Sequence, residues 1–191
     1  MTVQRKITKV EWEKEFTTGK WDYLETSPIE RARHALIGMY VRCLAPKAKI
    51  LDVGCGLGTT TDFLDKDQKR NYLGIDISDI AIKKAKKLKK ACFKKFAFLR
   101  MPIKKKFDVI IFNEVLYYLD DAASFQHALK LLNKNGLVVI SLYQTKKMKY
   151  NDRVIWETSR KFFVPIENVE VKGVVRDGRL VTWRIEVLKR R

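Results

Sequence analysis

The chain predicts an α/β fold in which a mostly parallel sheet ends in an antiparallel hairpin. Three observations carry this. Short apolar runs alternate with segments of helical periodicity, the pattern of consecutive βαβ units. Phe107–Phe112 and Gly136–Tyr143 are almost continuously apolar, as strands covered on both faces are. Towards the C-terminus Val169, Val171 and Val174 lead to Asp177-Gly178, and Leu180–Leu188 alternates apolar with polar residues. Asp-Gly between two such runs is a hairpin signal.

The elements follow in order. Ser27-Pro28-Ile29-Glu30 has the form of a capping box with proline at the first helical position, so a helix is expected from there to about Leu44, ended by Pro46. Strand one covers Lys49–Val53, and a helix is expected from about Thr59. Strand two is Asn71–Asp76. From Ala81 the residues Ala81, Ala85, Leu88 and Cys92 recur at helical spacing with lysines on the other face. A short third strand is expected near Phe96–Leu99 and a fourth at Phe107–Phe112. A helix over Ala122–Leu132 exits at Asn135-Gly136, and strand five is Leu137–Leu142. Asp152–Phe163 reads as a further helix before the hairpin, whose strands bring the total to seven.

The chain has 191 residues, of which 46% are hydrophobic and 32% charged. This favours one soluble domain with its own core. No apolar run is long enough to span a bilayer, and Met1–Phe16 lacks the core of a signal peptide. Cys43, Cys55 and Cys92 are odd in number and show no metal-binding spacing, so free thiols in a cytoplasmic protein without a metal are expected. The net charge is +18, which raises nucleic acid as a partner. Much of the excess lies between Lys83 and Lys106, and the lysine face of the helix from Ala81 to Cys92 carries no interleaved aromatic residues. A solvated face is the simpler reading, and nucleic acid is not expected as the partner.

Ile50–Gly58 reads Ile-Leu-Asp-Val-Gly-Cys-Gly-Leu-Gly, an apolar strand running into an acid and a glycine loop. Gly54 and Gly56 let the backbone turn and approach a ligand closely, and Cys55 between them serves by being small. Asp52 separates the possible ligands. A carboxylate two residues before the first glycine would repel a pyrophosphate. It would attract the sulfonium and ammonium groups of S-adenosylmethionine (SAM), which has no phosphate. The glycine spacing agrees, because the dinucleotide fingerprint needs glycine where Thr59 stands. Asp76 ends strand two about 20 residues on, the place of an acid that binds ribose hydroxyls, and Ile77 would lie against the adenine. Strand four ends at Asn113-Glu114-Val115-Leu116-Tyr117-Tyr118-Leu119.

From Lys49 to Tyr143 the chain resembles the class I SAM-dependent methyltransferases. Asn113–Asp121 looks more specifically like small bacterial biosynthetic methyltransferases, the NodS-type N-methyltransferases among them. The resemblance implies a Rossmann-like, doubly wound sheet of seven strands and SAM as cofactor. It also implies that residues 1–45 form a helical lid on a SAM-binding core at 46–191. Trp21 and Arg33 would then reach the cofactor, Arg33 pairing with its methionine carboxylate. Many relatives place an acid after strand three for the adenine amino group. No Asp or Glu lies between Asp79 and Asp108 here, so backbone or water must serve that edge.

The cofactor set expected from this reading is Trp21, Arg33, Asp52, Gly54, Cys55, Gly56, Asp76, Ile77 and Asn113. Methyl transfer to an amine or hydroxyl needs a proton acceptor. Glu114 is the first candidate and His34 the second, with Tyr117 lining the acceptor pocket. The acceptor expected is a small molecule, sugar-containing, amino-bearing or anionic. Two rival readings are an RNA methyltransferase and a SAM-binding scaffold without catalysis. Against the first, the place after strand four lacks the prolines of the Asn/Asp-Pro-Pro-Tyr motif found where exocyclic base amines are methylated.

Overall fold

The computed structural model describes residues 7–144, 152–175 and 178–191. Their elements are α1 (Lys9–Thr17), α2 (Pro28–Leu44), β1 (Ile50–Val53), α3 (Lys66–Arg70), β2 (Tyr72–Asp76), α4 (Asp79–Leu88) and β3 (Cys92–Lys95). After these come β4 (Phe107–Asn113), α5 (Asp121–Leu131), β5 (Leu132–Gln144), α6 (Asp152–Ser159), β6 (Phe163–Val174) and β7 (Leu180–Arg190). One seven-stranded sheet has the order β3-β2-β1-β4-β5-β7-β6. The first five strands pair in parallel, and β7 runs antiparallel to both β5 and β6. The Rossmann-like sheet with its antiparallel end is therefore present. Of the expected hairpin turn, Asp177 lies outside the described residues.

Side chains on the central strands alternate between two cores. Leu51, Val53, Ile110, Phe112, Val138 and Ile140 point to the face covered by Phe125 and Leu131 of α5 and Trp156 of α6. Ile50, Val109, Ile111 and Val139 point to the face covered by Ile37 and Val41 of α2 and Ile82 of α4. Two buried faces explain why these strands read as unbroken apolar runs. The strand order reverses between β1 and β4, and in open α/β sheets ligands bind at the carboxyl ends beside such a reversal.

Several boundaries differ from the sequence reading. The helix expected from Thr59 is a 3-10 turn at Thr59–Phe63 followed by the five-residue α3. Asp65 starts α3 anew through a capping box with Gln68, which divides the segment. The third strand is Cys92–Lys95 rather than Phe96–Leu99, because Phe93 is the residue that buries its ring, opposite Gly74. Cys92 is thus in a strand, not on the helix. Helix α5 ends at Leu131, and Gly136 lies within β5. A Cβ there would come 2.7 Å from Leu132 Cγ and 3.0 Å from the Asp108 carbonyl. Helix α6 stops at Ser159, since Phe163 is needed as a fully buried strand residue. The α2 boundaries agree with expectation, but Ser27 makes no side-chain cap. Glu30 is drawn instead into a buried pair with Arg33 at 2.6 Å.

Candidate functional site

A cavity of about 1280 Å³ opens at the carboxyl ends of β1, β2 and β4 and is partly roofed by the N-terminal segment. Pockets for one ligand commonly measure roughly 300–1,000 Å³, so this one has room for a cofactor and a second molecule. Every residue expected at the site lines it: Trp21, Arg33, His34, Asp52, Gly54, Cys55, Gly56, Asp76, Ile77, Asn113, Glu114 and Tyr117.

The loop after β1 does what its glycines permit. Gly54 has φ 67°, and a Cβ there would meet Val115 Cγ2 at 2.5 Å. Asp76 at the end of β2 fixes the loop by accepting Gly56 N–H at 3.1 Å and Ser78 N–H at 2.9 Å, one on each oxygen. A carboxylate has about four lone-pair sites, so these bonds leave it capacity to accept from ribose hydroxyls. Burial raises the Asp76 pKa. Ile77 beside it is 37% exposed and lines the cavity.

Asp52 is buried at the end of β1. Its Oδ2 accepts the Tyr72 hydroxyl at 2.7 Å, while Oδ1 is buried without a partner. Burial pushes its pKa up to about 7, against the pull of Tyr72. Cys55 fits the loop by being small, since its sulfur lies 2.8 Å from where a Gly74 Cβ would stand.

A polar chain crosses from α2 to the sheet. Arg33 is 2% exposed; Nη2 donates to Glu30, Nη1 donates to Asn113 Oδ1, and the guanidinium lies 5.5 Å from the Trp183 ring centre. Arg33 only donates, so Asn113 turns its amide N–H to His34 Nδ1 at 3.2 Å. Thr60 Oγ1 lies 2.9 Å from the same nitrogen. Nδ1 therefore accepts, the proton sits on Nε2, and Nε2 is buried without a partner. Burial, then Arg33, holds the His34 pKa well below its ordinary value. The ring is neutral and its lone pair is already engaged.

Glu114 follows β4 with φ 59°, the single non-glycine residue with positive φ among the described residues. Its oxygens accept Tyr143 N–H at 3.1 Å and the Ser141 hydroxyl at 3.3 Å. Burial pushes its pKa up to about 7, opposed by Arg33. Tyr117 donates its hydroxyl to the Tyr143 carbonyl at 3.0 Å, and burial raises its pKa.

The sequence reading missed Tyr72, Thr60, Glu30 and Glu13. Glu13 of α1 accepts the Ser78 hydroxyl at 2.6 Å and the backbone N–H of Asp79 and Ile80 at 2.7 and 3.1 Å. It thereby holds the N-terminal segment against the start of α4. Trp21 sits in the same segment, packed on Trp12 and donating to Glu15 at 3.0 Å. The lysine face of α4 is not wholly solvated: Lys84 pairs with Asp22 at 2.8 Å, and Lys89 with Glu25 at 2.5 Å.

Residues 29–165 match a methyltransferase domain family. The chain belongs to that family, whose methyl donor is SAM. Among curated proteins it is 29% identical over 168 residues to the 2-methyl-6-phytyl-1,4-hydroquinone methyltransferase of Synechocystis, covering 76% of this chain and 52% of that protein. It is 29% identical over 139 residues to the ubiquinone biosynthesis O-methyltransferase of Pelagibacter ubique, covering 70% and 58%. The chain thus spans about half the length of these curated relatives. Its fold is similar to that of the N-methyltransferase NodS of Bradyrhizobium japonicum in complex with S-adenosylhomocysteine (SAH). There the TM-score is 0.79 at 21% identity, with 95% of this chain and 97% of that one covered.

Proposed function

We propose that the protein transfers a methyl group from SAM to nitrogen or oxygen of a small-molecule acceptor, with Glu114 as the proton acceptor. The observation that carries this is Glu114 itself. It is held in left-handed backbone at the end of β4, lines the cavity, and has a carboxyl whose pKa lies near neutrality. A general base is most effective when its pKa is close to the working pH.

The residues present fit SAM. Asp76 keeps lone pairs for the ribose, Ile77 offers an apolar face to the adenine, and Asp52 keeps one buried oxygen, Oδ1, without a hydrogen-bond partner among the described residues. When bound, SAM supplies a methyl group on a sulfonium that is already an excellent leaving group. The protein's own work is then alignment, exclusion of water and removal of a proton. The N-terminal segment acts as the lid, with Trp21 on its inner side. Arg33 contributes charge and holds Asn113 rather than reaching the methionine carboxylate as its main partner. His34 positions Asn113 and Thr60 and is not the base.

The few free polar groups around Glu114 suit a compact, largely apolar acceptor better than a sugar. RNA as acceptor loses support, because Lys84 and Lys89 hold the N-terminal segment.

The test is titration calorimetry with SAH and with NADH. SAH is expected to bind and NADH not to. Asp76→Ala should weaken SAH by roughly tenfold or more, the loss of charge-assisted hydrogen bonds worth about 1.5–3 kcal/mol each at best. Binding of NADH in place of SAH overturns the reading.

A further inference from the structure

The part of the cavity beyond Glu114 is walled mainly by rings and branched aliphatic side chains. Tyr117 follows β4, Tyr143 ends β5, Trp183 lies on β7, and Tyr23 comes from the N-terminal segment. Tyr143 and Trp183 pack edge to face with ring centres 5.6 Å apart. The Tyr117 hydroxyl is bound to the Tyr143 carbonyl and the Tyr143 N–H to Glu114. These rings and the carboxyl are therefore one connected assembly. Tyr23 lines the same cavity from the N-terminal segment, its ring packed on Trp21 with ring centres 6.2 Å apart. Val174 and Val181 of the hairpin continue the wall.

Most polar side chains here are already occupied. Glu30, Arg33 and Asn113 bind one another, and both Glu114 oxygens accept a hydrogen bond. An acceptor rich in hydroxyls would leave water without finding partners, and each group left unsatisfied weakens binding. A flat ring has the opposite balance. Its faces lose only apolar hydration, and pairing with aromatic side chains strengthens binding beyond what area burial gives. A ring also makes its hydroxyl acidic, with a reference pKa of about 10 for a phenol, within reach of a carboxylate acceptor.

We propose that the acceptor is a planar aromatic compound bearing the accepting hydroxyl on its ring, held between Tyr23 and the Tyr143–Trp183 pair with that hydroxyl at Glu114. This rests on the methyl-transfer reading of the same site. The ring oxygen gives its proton to Glu114 and bonds to the methyl carbon. The carbon–sulfur bond breaks with its electron pair kept by sulfur, so the positive charge is neutralised. The products are an aryl methyl ether, SAH and protonated Glu114, which returns its proton to water.

The experiment starts from SAH-loaded protein. Simple catechols and hydroquinones, alkyl amines and glucosamine oligosaccharides are titrated in parallel, and the same compounds are offered with radiolabelled SAM. The phenols are expected to bind and to take methyl on oxygen. Tyr23→Ala and Val174→Asp, both at exposed positions, should weaken phenol binding about 2- to 10-fold while SAH still binds. Protein that binds SAH but binds or methylates no phenol overturns the proposal, as does methylation of the amines or sugars in preference. Failure to bind SAH at all sinks the underlying reading instead.

Discussion

Glu114 bears two burdens that a strand-end residue of purely structural role would lack. Its left-handed backbone costs on the order of 1–2 kcal/mol, and its carboxyl pKa is raised by burial. Such features persist where the surroundings enforce them, and they concentrate at functional sites. If Glu114 is the base, turnover rises with pH through about 7, because the ionised form acts. Glu114→Gln should lower the turnover number by roughly 10²–10⁴, remove that pH step and leave SAM affinity unchanged. Near wild-type turnover in steady-state assays would leave alignment alone as the mechanism. The place of Asp52 and Asp76 in the cavity was legible in the sequence because it follows from spacing along one strand and loop. Tyr72 was not, because its role depends on register: β1 and β2 pair Ile50 with Tyr72 and Asp52 with Gly74, which sets the Tyr72 hydroxyl on the Asp52 carboxyl. Tyr72→Phe removes that donor and makes the charged form of Asp52 harder to reach. SAM affinity by calorimetry should fall about 5- to 10-fold, near 1–1.5 kcal/mol; an unchanged value would detach Asp52 from the cofactor.

Elements were legible where one apolar period ran without interruption, as in α2, β4 and α5. They were misread where a local signal competed with packing. Thr59–Phe63 follows glycines and looks like a helix start, yet Asp65 begins its own capped helix and the first turn stays 3-10. The docking of α1 was invisible for a different reason. Lys9 and Asp79 are 70 residues apart, and Glu13 reaches the start of α4 across 65 to 67 residues. No local pattern records such a pair. Exposed ion pairs contribute little each, but Lys89 is 8% exposed and binds both Glu25 and Asp62. Glu13 also meets the positive end of a helix. The segment should therefore hold the cofactor kinetically. Glu13→Ala is expected to speed SAM dissociation several-fold in stopped-flow displacement, and salt should speed it further in the wild type by screening these pairs. A dissociation rate indifferent to both changes would show that the segment is not a cover.

At the scale of the whole molecule, the sheet was legible because strands buried on two faces are apolar throughout, and the C-terminal hairpin because its alternation is not. The net charge of +18 was the least informative global number: its lysines are divided between solvent and the N-terminal clamp. Proton binding is a more telling global property. Asp52 and Glu114 each have folded pKa values of about 7, against ordinary values of 3.8 and 4.5. Between those limits the folded protein holds protons that the unfolded chain has released, so stability falls as pH rises. Their contribution is fully present below about pH 4 and lost above about pH 7, on the order of 3–4 kcal/mol for each group. Ionisation of ordinary surface acids works the other way over pH 4–5, by reducing the net positive charge. The measurement is therefore a difference between wild type and the Asp52→Asn, Glu114→Gln double variant, whose amides do not titrate. Thermal unfolding from pH 5 to 8 should show the wild type losing stability relative to the variant as pH rises. SAM carries positive groups to an Asp52 that is then ionised, so its stabilisation of the wild type should grow over the same range. A difference between wild type and variant that stays constant with pH would show that neither carboxyl titrates near neutrality, and would remove Glu114's claim to be poised as a base.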